Sequence, residues 1–148
     1  MSADLPFDSL VSFLGTSITL VDSSGEEVTL PIVYSNELRP VLTEISPWLL
    51  VEMTDDTLSA MEIGAGDSNT WRESGQILIY CFIPSYTGSR LARLFLKQIS
   101  NKFRVAGVAG NVIFRSQSIG MGGLDSENGA YWVLPMSINW VFDDHRSS

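Results

Sequence analysis

One cysteine, one histidine and nine basic residues are all that the 148 positions offer of these types. Cys81 alone cannot close a disulfide within the chain, which points to a reducing compartment. Its neighbours Tyr80 and Phe82 mark it as a small core residue on a strand rather than a nucleophile. The single histidine, His145, lies in the polar run Asp143–Ser148, where chain ends usually fray. Nucleophilic catalysis needs a base within hydrogen-bond reach, and a Cys81–His145 pair would have to join a buried strand to a chain end. No catalytic residue is expected.

Metal and phosphate signals are equally sparse. Asp143, Asp144 and His145 are adjacent, so on an extended chain they point in alternating directions. Asp125-x-Glu127 lacks the remaining ligands of a calcium loop, and Asp55-Asp56 reads as turn chemistry. The glycine-rich run 120–129 is not followed by Lys-Ser/Thr, and Gly64-Ala-Gly66 fails the same test. No metal and no cofactor is expected.

Long apolar runs are missing too. None approaches the ~20 residues that cross a bilayer, and the start, Met1-Ser-Ala-Asp-Leu-Pro, lacks the basic and apolar parts of a secretory signal. The expectation is a soluble, intracellular protein with no membrane partner. Nine basic residues face 17 acidic ones, a net charge of −8 with pI near 4.4. Proteins that grip phosphates are normally basic, so specific nucleic-acid binding is not expected.

What the chain does have is a globular composition in one domain, residues 1–148, long enough to bury roughly two-thirds of its unfolded surface. Residues 6–14 space Phe7, Leu10, Val11 and Leu14 as a short helix that Gly15 ends. Ile18–Val21 and Val28–Leu30 flank Asp22-Ser-Ser-Gly25 as a hairpin. Pro31 and Pro40 bracket a segment that cannot be a central strand throughout. Trp48–Met53 and Leu58–Ile63 read as a strand pair turning at Thr54–Thr57. A loop follows over 64–75, closing with the polar turn Trp71–Gly75.

The seven residues Ile77–Ile83 are apolar on both faces and predict a central, covered strand. Beyond Pro84 and Gly88, Leu91, Ala92, Phe95, Leu96, Ile99 and Phe103 form one apolar stripe of a helix over about 88–104. Asn111–Ile119 is a mixed strand. The last strand alternates, with Trp132, Leu134, Met136, Ile138, Trp140 and Phe142 on one face. Pro135 calls for an edge or bulge there. The predicted fold is α+β: a mostly antiparallel sheet with one long amphipathic helix packed on it, and a short N-terminal helix.

Arg90, Arg93, Lys97, Lys102 and Arg104, five of the nine basic residues, fall within fifteen positions of that helix. Such a stripe can be a solvated face or a contact with an acidic surface of a neighbouring subunit. DNA contact ranks third in so acidic a chain.

Several segments, taken in order, resemble the tail terminator family of long-tailed bacteriophages. They are Pro31-Ile-Val-Tyr-Ser-Asn-Glu-Leu-Arg-Pro40, Trp71-Arg-Glu-Ser-Gly75 before an apolar strand ending in Pro84, Gly88 with its helix, and Tyr131-Trp132 opening a strand that ends Val141-Phe-Asp. The resemblance spans about residues 30–143. It implies a non-catalytic virion protein, made in the host cytoplasm, that forms a hexameric ring of its own copies at the head-proximal end of the tail. That ring would cap the tail tube protein, stop polymerisation and receive a head–tail connector or neck protein. DNA would pass through the lumen without specific binding. Tail tube and neck subunits share related architecture, so a sister role is the alternative; a small-ligand-binding module or enzyme is a further one. Candidate contacts with the tube or adjacent subunits are Trp71, Arg72, Glu73, Tyr86, Arg90, Arg93, Lys97, Met121 and Leu124.

Overall fold

The computed structural model describes residues 5–40, 42, 44–60, 70–110 and 112–145. In chain order the elements are α1 (Leu5–Leu14), β1 (Ser17–Val21), β2 (Glu27–Tyr34), β3 (Trp48–Ala60), β4 (Thr70–Pro84), α2 (Arg90–Ala106), β5 (Val108–Ala109), β6 (Val112–Ile119), β7 (Gly123–Leu124) and β8 (Tyr131–His145). The sheet runs β1-β2-β3-β4-β8-β6-β5, with β7 also paired to β8. All pairings are antiparallel except β2 with β3.

The expected α+β arrangement, a sheet with one long helix laid on it, is overturned. The protein is mostly β: a sheet curled into a half-barrel, with two helices. Strand twist is the physical cause. Three long neighbours, β3 (13 residues), β4 (15) and β8 (15), accumulate right-handed twist along their length and curl the sheet. Both helices contribute to the single large core, through Leu10 and Leu14 of α1 and Ala92, Phe95, Leu96, Ile99 and Phe103 of α2.

Two of the long strands run further than the sequence pattern predicts. Thr54–Thr57 is no turn: β3 runs through it, and a bulge between Asp55 and Thr57 takes up the extra residue. Trp71–Gly75 is likewise strand, paired residue by residue with β3 and β8. Gly75 serves close approach between strands rather than a turn. A Cβ there would lie 1.8 Å from the Thr54 carbonyl oxygen. The expected strand 58–63 survives only as Leu58–Ala60; its remainder, and the loop expected over 64–69, lie outside the described residues. The C-terminal run does not fray at Asp143, because Asp143–His145 continue β8 against Thr70–Arg72.

The other strands follow the sequence closely. β1 and β2 form the hairpin, in register from Ser17↔Pro31 to Val21↔Glu27. At Pro31 the strand changes partner, and Ile32–Tyr34 pair in parallel with Leu49–Val51. A parallel pairing requires a long return, here residues 35–47. β4 is central, and its faces divide by alternation. Ile77, Ile79, Cys81 and Ile83 enter the helix-side core, whereas Phe82 joins Trp48 and Tyr131 in a small cluster on the opposite face. Pro135 pairs with Tyr80 of β4 but sits where β8 has a break on its other side, between the Ile119↔Met136 pairing of β6 and the Gly123↔Val133 pairing of β7. The missing donor therefore falls in a gap.

α2 starts two residues later than expected because Gly88 has φ +84°, outside the helical region. It ends two residues later, at Ala106, capped by Gly107 (φ 71°), whose N–H donates to the Phe103 carbonyl at 2.8 Å. The helix also serves the sheet's margin. The Val21 N–H donates to Gln98 Oε1 at 2.9 Å, and Gln98 Nε2 donates to the Val21 carbonyl at 2.7 Å. A side-chain amide thus occupies main-chain groups on the outer side of β1. On the same helix Ser100 holds the Gln117 side chain of β6.

Candidate docking surfaces

Three surfaces combine exposed anchors with unusual charge or backbone geometry. The first is a cleft of about 580 Å³ along α2, lined by Arg90, Arg93, Leu94 and Lys97, by Asp22 and Ser23 of the β1–β2 turn, and by Ile119 at the end of β6. Three of the sequence-predicted contact residues therefore come together. Arg93 is steered by the helix start, its Nε donating to Ser89 Oγ at 3.2 Å. Asp22 forms no ion pair with these cations, although its carboxylate lines the same cleft. Its Oδ1 accepts from the N–H groups of Ser24 and Glu26 at 2.9 and 3.0 Å, and from the Ser24 hydroxyl. These bonds, led by the Ser24 hydroxyl, hold its carboxyl below the usual range. Among the described residues, no carboxylate lies within ion-pair distance of Arg90, Arg93 or Lys97.

The second surface is where the β4–α2 turn meets the loop after β6. Tyr86, Gly88, Ser89, Leu124 and Trp132 line a cleft of about 370 Å³. Tyr86 is 86% exposed and adopts φ 63°, and Leu124 and Met121 are 53% and 92% exposed. The turn is fixed by Ser85 N–H donating to the Ala130 carbonyl at 2.8 Å and Thr87 Oγ1 donating to the Pro84 carbonyl at 2.7 Å. Gly122 lets the loop lie flat against Trp132, since a Cβ there would meet the indole at 2.1 Å. Left-handed backbone at a bulky residue costs roughly 1–2 kcal/mol. Hydrogen bonds of its neighbours Ser85 and Thr87 hold the turn in this conformation, while the Tyr86 side chain itself stays exposed.

The third surface was not expected from sequence. Arg39 donates through Nη1 and Nη2 to the two carboxylate oxygens of Asp125, the latter bond at 3.1 Å, and its Nε lies 3.0 Å from Glu127 Oε2. Its guanidinium carbon sits 5.3 and 5.1 Å from the ring centroids of Trp48 and Phe82, which stack on each other at 3.9 Å. The clip ties loop 35–47 to the loop before β8 and borders a cleft of about 310 Å³ that also includes Glu44, Ile45 and Tyr131. The Asp125-x-Glu127 pair, dismissed above as a calcium loop, is a receptor for arginine. Its partner is 86 residues away in sequence, and no local pattern announces it.

The clip carries a pH dependence. The Arg39 hydrogen bond holds the buried Asp125 carboxyl below its ordinary value, aided by the Glu127 N–H. A depressed carboxylate stabilises the fold above its unfolded value of roughly 4, and that contribution is lost as pH falls through the lower folded value. Amide protection in loop 35–47, followed by hydrogen exchange, is therefore expected to drop in that acid window. Asp125→Asn is expected to show the loss already at neutral pH; protection unchanged in the variant contradicts a clamping role.

The remaining predicted contacts lie elsewhere. Trp71, Arg72 and Glu73 are on β4, roughly 40 Å along the strand from Tyr86 at the usual strand rise. Glu73 is buried at 4% exposure, so it is not a loop anchor. Arg72 is half-buried on the strand, and the Trp71 side chain lies outside the description. Cys81 is fully buried in the core, and burial pushes its thiol up to about 12.

No protein-family model matches the sequence. No curated protein matches it either. Among solved structures 26 chains match. One of them, 17% identical over 96% of each chain, superposes with a TM-score of 0.54. That likeness concerns the fold alone.

Proposed function

We propose that this chain is a structural virion protein of the tail-terminator kind, acting as a hexameric ring of its own copies. The ring caps the tail tube protein, ends tube growth and presents a surface to the head–tail connector or neck protein. DNA threads the lumen, whose acidic subunits repel phosphate rather than bind it. The reading begins from the ordered sequence resemblance over residues 30–143. The observation that supports it best is Tyr86: a large aromatic side chain, 86% exposed, held at φ 63° beside exposed Leu124. Strained backbone clusters at binding sites, and aromatic side chains serve as interface anchors.

The test follows from that strain. Asn tolerates the left-handed region, so Tyr86→Asn is expected to stabilise the isolated chain by about 0.5–1 kcal/mol, raising its melting temperature by roughly 2 °C. The same substitution is expected to abolish capping. In negative-stain micrographs, tails assembled with the wild-type chain should have uniform length and end density, whereas tails with Tyr86→Asn or no chain should overrun. Uniform tails in the chain's absence would falsify the reading.

A further inference from the structure

We infer that the α2 cleft is the socket of a head-to-tail joint whose plug is the Glu44–Ile45 and Glu127 rim of a second copy of this chain. The inference rests on the ring reading above and names the surfaces that would close the ring.

The argument is one of complementary charge and shape. The socket carries three cations, Arg90, Arg93 and Lys97, against one carboxylate, Asp22, around an apolar floor of Leu94 and Ile119, so it keeps a positive excess. The plug side carries Asp125, Glu127 and Glu44 against a single guanidinium, Arg39, so it keeps a negative excess. Ile45 stands among these carboxylates, 53% exposed, and Leu38 in the same loop is 92% exposed. An apolar knob with an acidic rim thus matches an apolar floor with a cationic rim.

The two surfaces cannot satisfy each other within one molecule. The socket is built on α2, which packs on the helix-side core with Ile77, Ile79 and Cys81. The plug is built over Trp48 and Tyr131, which belong to the cluster on the opposite face of the same strands. Two different complementary patches on opposite faces define a heterologous contact, the kind that closes into rings when its rotation permits. In a chain of net charge −8, unspecific self-contact is repulsive, so a local match of this kind also sets the register.

Disulfide trapping on the purified chain tests the joint without tails. The native Cys81 is buried and does not interfere. Lys97→Cys and Glu44→Cys in one chain lie on opposite faces, so a bond between them must link two copies. A ladder of cross-linked species is expected under mild oxidation.

Two charge-reversed forms of this double-cysteine chain should each trap at least about tenfold more slowly at low salt. One carries Arg93→Glu with Arg90→Glu, and the other Glu127→Lys. An equimolar mixture should recover about half the rate of the unreversed double-cysteine chain, because each reversed patch then meets its complement in half of the encounters; a misfolded variant could not be rescued this way. Absence of the ladder, or a mixture no faster than its components, overturns the proposal. If the wild type still caps tails in that case, the terminator reading stands and the joint lies elsewhere. If the ladder forms but the chain enters no particle, the joint stands and the terminator reading falls.

Discussion

Gly75→Ala is expected to be among the most damaging single substitutions in the chain, although it adds one methyl group. The new Cβ would sit 1.8 Å from the Thr54 carbonyl oxygen and 2.8 Å from its carbon, both main-chain atoms. A side chain could rotate away, but here two backbones must part. β4 lies between β3 and β8, and the Trp140 ring lies 3.1 Å from the same Cβ position. The strand therefore has no free side toward which to shift. Overpacking of this severity costs about 3 kcal/mol, or roughly 9 °C in melting temperature for a domain of this size. Thermal unfolding followed by circular dichroism measures it. A shift under 2 °C would mean that the bulge at Asp55/Thr57 absorbs the insertion.

Phe103→Ala is expected to cost more, about 4 kcal/mol, by leaving a cavity where both helices meet the sheet. Phe103 is fully buried. Its ring centroid lies 5.1 Å from that of Phe13 on α1 and 4.6 Å from that of Phe114 on β6, the latter edge-on. Losing it removes the ring that ties α1 to α2, so α1 should lose amide protection before the sheet does. Phe103→Leu, which keeps most of the volume, should lose less than half as much stability. Equal losses for the two variants would show that ring geometry, rather than filled volume, matters at this site.

How much of this was readable in advance depends on distance along the chain. The β8 pattern was plain because Trp132 to Phe142 keep a period of two without a break, and burial of Leu134, Met136, Ile138, Trp140 and Phe142 follows it. The α2 stripe was equally plain. Gly88 and Gly107 then moved both helix ends by two residues through backbone conformation that composition does not encode. The β3–β4 pair is not legible as continuous strands because Asp55-Asp56 and Gly75 are signals shared by turns and by irregular strands. Only the partner strand decides between them, and it is distant in sequence. That ambiguity hides the length of the strands and with it the curl of the sheet. The basic surface was legible as a stripe; the Arg39 clip was not, since its carboxylates come from the far end of the chain.

The Gln98 amide that occupies the Val21 main-chain groups has a consequence for solubility at high copy number. Sheets lengthen into fibres only if each added molecule offers a fresh margin on both sides. A glutamine borrowed from the neighbouring helix spoils that symmetry at β1, because an incoming backbone would first have to evict it. The chain can therefore accumulate without its sheets joining at the Val21 margin of β1.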